Sequence, residues 1–163
     1  MFLIKAMFLY LACFLIHEHI IKKHTQLDQQ FIRFIINGCV AFLGAFGYKT
    51  FESKEVDDFQ VFGIDGSNGV WIGGPCNGLT LIFLFAVFVI AYPGPIKQKL
   101  WFIPLGALII HLSNSIRIIS LSLIALYNPK SLEFNHTYTF TFIVYGIVFS
   151  LWMQWVNKFS NKI

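Results

Sequence analysis

The chain has 163 residues, a formal net charge of +4, 56% hydrophobic and only 12% charged residues, and nineteen phenylalanines. A soluble domain carries about 25% charged residues, so this composition excludes an ordinary soluble globular domain and predicts a polytopic membrane protein. The positive balance reflects where lysine and arginine sit relative to a bilayer and calls for no nucleic-acid partner.

Five apolar stretches mark candidate spans: Phe2–Ile16, Phe31–Tyr48, Gly78–Tyr92, Leu100–Tyr127 and Tyr138–Val156. A spanning helix needs about 20 residues, within a range of about 17–25. The second and fifth stretches fit, and the third fits if its helix begins near Cys76. The fourth is long enough to tilt or bend. The first is short and carries Lys5; it resembles a signal peptide, yet His17-Glu18-His19 stands where small residues would mark cleavage, so retention is expected. The expected fold is all-α: a single integral-membrane domain over residues 1–163, built as a helical bundle of about five transmembrane helices.

Thr50–Pro75 is the sizeable extramembrane segment. Phe59–Ile64 alternates loosely, Asp65-Gly66-Ser67-Asn68-Gly69 supplies turn chemistry, and Val70-Trp71-Ile72 is apolar. That pattern predicts a small β-hairpin against the membrane surface, before the third helix. Gly73-Gly74-Pro75 ends it and leads directly to Cys76. Pro93-Gly94-Pro95 is a hard stop for the third helix.

Orientation follows from the cations. Lys22, Lys23, Arg33, Lys97, Lys99, Lys158 and Lys162 fall on one side by alternation, whereas Lys49, Lys54 and Lys130 fall on the other with most of the acids. The first side is therefore cytoplasmic. Cys76 and His136 both face outward.

In the fourth stretch, Leu105, Leu108, Leu112, Ile116, Ile119, Leu123 and Leu126 form one apolar stripe expected to face lipid. His111, Ser113, Asn114, Ser115, Arg117, Ser120 and Ser122 occupy the remaining arc, toward the bundle interior. The serines and His111 read as interhelical hydrogen bonders. Counting from Trp101 at about 1.5 Å per residue, Arg117 lies roughly 24 Å along the helix, in the outer half of a core about 30 Å thick. Insertion scales charge a mid-helix arginine roughly 2.5–3.5 kcal/mol, so a functional role is its default reading, with a structural ion pair to Glu133 or Asp65 as the rival.

Of the three cysteines, Cys13 and Cys39 lie inside apolar runs and read as packing residues. Cys76 is alone on the external side, which makes it incidental, a dimer link, or a thiol kept for reactivity. A helix N-terminus or a nearby cation stabilises a thiolate. His136 changes charge near neutral pH and is the natural general base and acid, although an ordinary loop histidine is its bland alternative. Arg117 stays protonated and suits an oxyanion or a substrate carboxylate. Asn77 and Asn114 are supporting donors. His17, Glu18, His19 and His24 sit beside Lys22 and Lys23, company that argues against a metal site.

In Pro75-Cys76-Asn77-Gly78 opening a helix, Asn114-Ser115-Ile116-Arg117 within the next long helix, and His136 before the last, the chain resembles the exosortase/archaeosortase family of membrane sorting enzymes. The resemblance covers roughly Val61 to Trp155. It implies a catalytic Cys76, Arg117 and His136, no cofactor, and a place in the cytoplasmic (inner) membrane with the active site facing outward. It also implies a cysteine protease/transpeptidase. Its partners would be exported proteins ending in a short motif, a hydrophobic helix and a basic tail, with a lipid- or glycan-linked acceptor, or water, resolving the acyl-enzyme. The chain is shorter than typical exosortases and looks like their compact variants in some Gram-negative bacteria, so a Pro-Glu-Pro recognition motif is not implied. The alternative from a different class is a non-enzymatic membrane scaffold or assembly factor in which Arg117 forms a structural ion pair. A small transporter has less support, because no inverted repeat is visible.

Overall fold

The computed structural model describes residues 27–53, 59–73 and 78–160. The first apolar stretch and the His17–His24 group lie outside them. Helix α1 (Leu27–Ala45) buries Ile32, Ile35, Ile36, Cys39 and Leu43 along one stripe, the spacing of a helix packed on one side. It stops at Gly47, which adopts φ 82°. The Gly47 N–H donates to the Gly44 carbonyl and the Tyr48 N–H to the Leu43 carbonyl, a Schellman closure that needs the left-handed residue glycine tolerates.

Three antiparallel strands follow in the order β1 (Thr50–Glu52), β2 (Gln60–Ile64), β3 (Val70–Ile72). Phe62 faces Val70 across one pair and Glu52 across the other. The expected hairpin is therefore present as β2–β3, and it is widened by a strand the sequence pattern does not announce. Thr50-Phe51-Glu52 is too short to show an alternation. The β2–β3 turn is fastened by Ser67, whose hydroxyl donates to the Ile64 carbonyl at 2.8 Å and accepts from the Gly69 N–H.

Helix α2 (Leu79–Ala91) is apolar all round, and α3 (Ile96–Tyr127) runs for 32 residues, about 48 Å at 1.5 Å per residue. Lys99, one turn into α3, donates to the Ile90 and Tyr92 carbonyls, both at 2.8 Å, and so satisfies acceptors at the end of α2. A helical run from Pro129 to Phe159 contains a short turn (Leu132–Phe134), a π-helical turn (Asn135–Thr139) and α4 (Phe140–Trp155).

Helix α3 is the common axis of two main cores. Toward its C-terminal half, Ile118 joins the α1 stripe with Phe62, Ile64 and Ile72 of the sheet. Toward its N-terminal half, Phe102 and Ile110 pack with Phe85 and Val89 of α2 and with Val148, Leu151 and Trp155 of α4. The hydroxyls of Tyr48 and Tyr127, 3.0 Å apart, join the C-terminal ends of α1 and α3.

Two helices, Ile96–Tyr127 and Pro129–Phe159, are long and apolar enough to cross a membrane. Helix α2, 13 residues long, is shorter than the about 20 a span needs. The fold is thus mostly helical, with two membrane-capable helices among the described residues; the expected first span lies outside them. The lipid-facing stripe also needs correction. Leu105, Leu108, Leu112 and Ile116 are exposed as expected. Ile119, Leu123 and Leu126 instead pack against the core under the sheet, because α1 and the strands cover that half of the helix.

The polar arc behaves differently from its interhelical reading as well. Ser113, Ser115 and Ser122 donate to carbonyls four residues back in their own helix, at 2.7, 3.0 and 2.9 Å. His111 stacks on Phe34 with ring centroids 5.3 Å apart and lies 5.5 Å from Phe31, so its interhelical contact is aromatic.

Gly106 marks a close α2–α3 approach, since a Cβ there would collide with the ring of the fully buried Phe85. Gly106→Ala should destabilise the protein by about 1–3 kcal/mol through overpacking. Adding Phe85→Leu should recover part of that loss, as thermal unfolding in detergent would show.

Candidate active site

The elements around the C-terminal half of α3 bring two of the three expected groups together. Arg117 lies on α3 and His136 lies in the π-helical turn before α4. The guanidinium Nη2 is 3.4 Å from the imidazole Nε2, and both residues are half-buried. Arginine only donates, so a hydrogen bond here requires Nε2 to accept and places the ring proton on Nδ1. Among the described residues the Arg117 side chain meets this imidazole, not Glu133 or Asp65.

The π-helical turn accounts for where His136 points. At about 100° per residue, an uninterrupted α-helix would put His136 roughly a quarter turn away from the buried row of Val144, Val148, Leu151 and Trp155. A wider i→i+5 turn accommodates an extra residue and makes up most of that rotation. The imidazole is thereby carried onto the face that α4 turns toward α3.

Asn114 precedes Arg117 by three residues on α3 and is buried, with 1% of its surface exposed. It lies against Gly78, the cap residue of α2: a Cβ on Gly78 would be 3.3 Å from Asn114 Cγ and 3.4 Å from Nδ2. Gly78 has φ 76°, so both its backbone and its crowding call for glycine. Cys76 and Asn77, which immediately precede it, lie outside the described residues.

Depths agree. Asn114 is 13 residues from Trp101, about 20 Å along α3, and α2 with its 13 residues is also about 20 Å long. The start of α2 is therefore level with Asn114, one turn below Arg117. A helix N-terminus carries a partial positive charge of about half a unit, and with the guanidinium it makes this corner electropositive. An anion, whether a thiolate or an oxyanion, is favoured here.

Sequence reasoning missed the wide turn. Nothing in Asn135-His136-Thr137-Tyr138-Thr139 signals i→i+5 bonding, since the departure is set by how α4 packs. The Gly78–Asn114 contact had a signal in the two quoted motifs, but their pairing across helices is a tertiary fact.

The profile of the transmembrane exosortase family matches residues 2–156. No curated protein and no solved structure matches the chain. The family match takes in the sheet, both membrane-capable helices, Asn114, Arg117 and His136. A chain matched over nearly its whole length, and built round apolar helices of this kind, is a membrane protein that belongs to the transmembrane exosortase family.

Proposed function

We propose that the protein is a membrane-embedded cysteine protease/transpeptidase with Cys76 as nucleophile, His136 as general acid and base, and Arg117 as oxyanion stabiliser. The observation that carries this reading is the Arg117–His136 contact, one helical turn from the level of Asn114 and the start of the helix that Cys76 precedes. Two peptide units separate Cys76 from Gly78, and consecutive Cα atoms are about 3.8 Å apart. Covalent reach alone therefore keeps Cys76 within about 8 Å of the residue packed on Asn114. Family membership adds independent support for the reaction class.

The thiol proton passes to His136 as the sulfur attacks the scissile carbonyl. Arg117 holds the charge developing on the tetrahedral oxygen, with Asn114 or Asn77 adding a donor. The C–N bond then breaks, His136 returns the proton to the leaving amine, and a thioester remains on Cys76. An amine or hydroxyl acceptor on a lipid or glycan, or water, attacks the thioester and releases the thiol.

The substrates are exported proteins that end in a short motif, a hydrophobic helix and a basic tail. The site faces outward from the cytoplasmic membrane, as the lysine and arginine distribution indicates. A candidate substrate is found by searching the source genome for proteins with that C-terminal pattern.

Co-expressed with such a substrate, Cys76→Ala should insert normally and abolish cleavage; full cleavage would exclude covalent catalysis at this residue. Arg117→Lys should lower the cleavage rate by about 10²-fold, because lysine keeps the charge and loses the planar fork. A scaffold needing only charge would tolerate that change. Gly78→Ala should slow cleavage by about tenfold through displacement of Asn114, with insertion preserved in membrane fractionation.

A further inference from the structure

We infer that Asn135 and Thr141 are positioning residues that hold the wide turn and thereby aim His136 at Arg117; the inference rests on the catalytic reading of His136. Each side chain meets a carbonyl that the change of helical register has stripped of its usual donor. In an α-helix the Asn135 N–H would go to the Ser131 carbonyl, but here it goes to Leu132. The Asn135 side-chain amide donates to Ser131 instead, at 2.8 Å. The Phe140 N–H would go to His136, but it goes to Asn135, one residue further back. The Thr141 hydroxyl then donates to the His136 carbonyl at 3.3 Å.

Both ends of the turn are thus closed by side chains, one on each side of the imidazole. Removing the Thr141 hydroxyl takes away a bond that the wide turn makes and favours return of the Phe140 N–H to His136, which restores the α register. That return swings the ring by roughly a quarter turn, away from Arg117.

The test uses the full chain in lipid nanodiscs and reads the pH dependence of iodoacetamide alkylation at Cys76, with Cys13 and Cys39 replaced by alanine. His136→Gln should slow alkylation near neutral pH. Thr141→Val should slow it by roughly tenfold at pH 7, toward the His136→Gln value, and Thr141→Ser should restore it. In the His136→Gln background, Thr141→Val should add nothing further, which a general loss of stability would not reproduce. Asn135→Leu, probing the other end of the turn, should shift the pH profile in the same direction. Should His136→Gln leave the profile unchanged, the catalytic reading falls and the positioning role with it. Should His136→Gln change it while Thr141→Val and Asn135→Leu do not, or should valine and serine behave alike, the positioning role alone is overturned.

Discussion

A charged side chain along a membrane helix has to be supported by its neighbours, and the arrangement around α3 follows from that requirement. Arg117 carries an insertion cost of roughly 2.5–3.5 kcal/mol that hydrocarbon contacts do not offset. The chain places it half-buried, one turn from the buried Asn114, with the His136 ring opposite its guanidinium. It pairs the cation with a neutral acceptor where a carboxylate would be the simpler solution. A carboxylate at that position would hold the arginine as a closed ion pair and neutralise the corner electrically. An imidazole leaves the positive charge available to a ligand.

The packing on α3 serves the same end. The sheet and α1 bury Ile118 and partly cover Ile119 and Leu123 on one flank, while α2 and α4 close on Phe102 and Ile110 lower down. Along α3, Arg117 falls between Ile110 of one core and Ile118 of the other. Because the same helix belongs to both cores, the level of Asn114 relative to Gly78 is set by packing below it, at Gly106 against Phe85. Fixing the distance between two helices through a glycine contact remote from the site is economical in residues and intolerant of volume change.

Much of this was legible from the residues alone, for identifiable reasons. Charge asymmetry and long apolar runs reveal a membrane protein because the bilayer penalises their alternatives strongly. The β2–β3 hairpin was legible because Asp65–Gly69 offers the turn chemistry between two apolar segments. The motifs around Cys76, Arg117 and His136 point to the family the chain belongs to. The third strand, the covered end of the leucine stripe and the self-bonded serines were not legible. Each depends on what another part of the chain places opposite, and Ser113 shows it well: its sequence context is the same whether its hydroxyl turns to a neighbour or back to Ile109. The wide turn at His136 belongs to this second group.

The shortness of α2 has a further consequence. Its C-terminal end is moored to Lys99, and about 20 Å of helix covers only part of a hydrocarbon layer about 30 Å thick. In the proposed reaction the thiol that precedes α2 would therefore act below the headgroup level on that side. A thioester formed at such a depth would meet little bulk solvent and would be screened from hydrolysis. Under the proposed function, acceptors travelling within the lipid leaflet would have the advantage over water, so the reach of one helix would bear on whether that chemistry ends in transfer or in simple cutting.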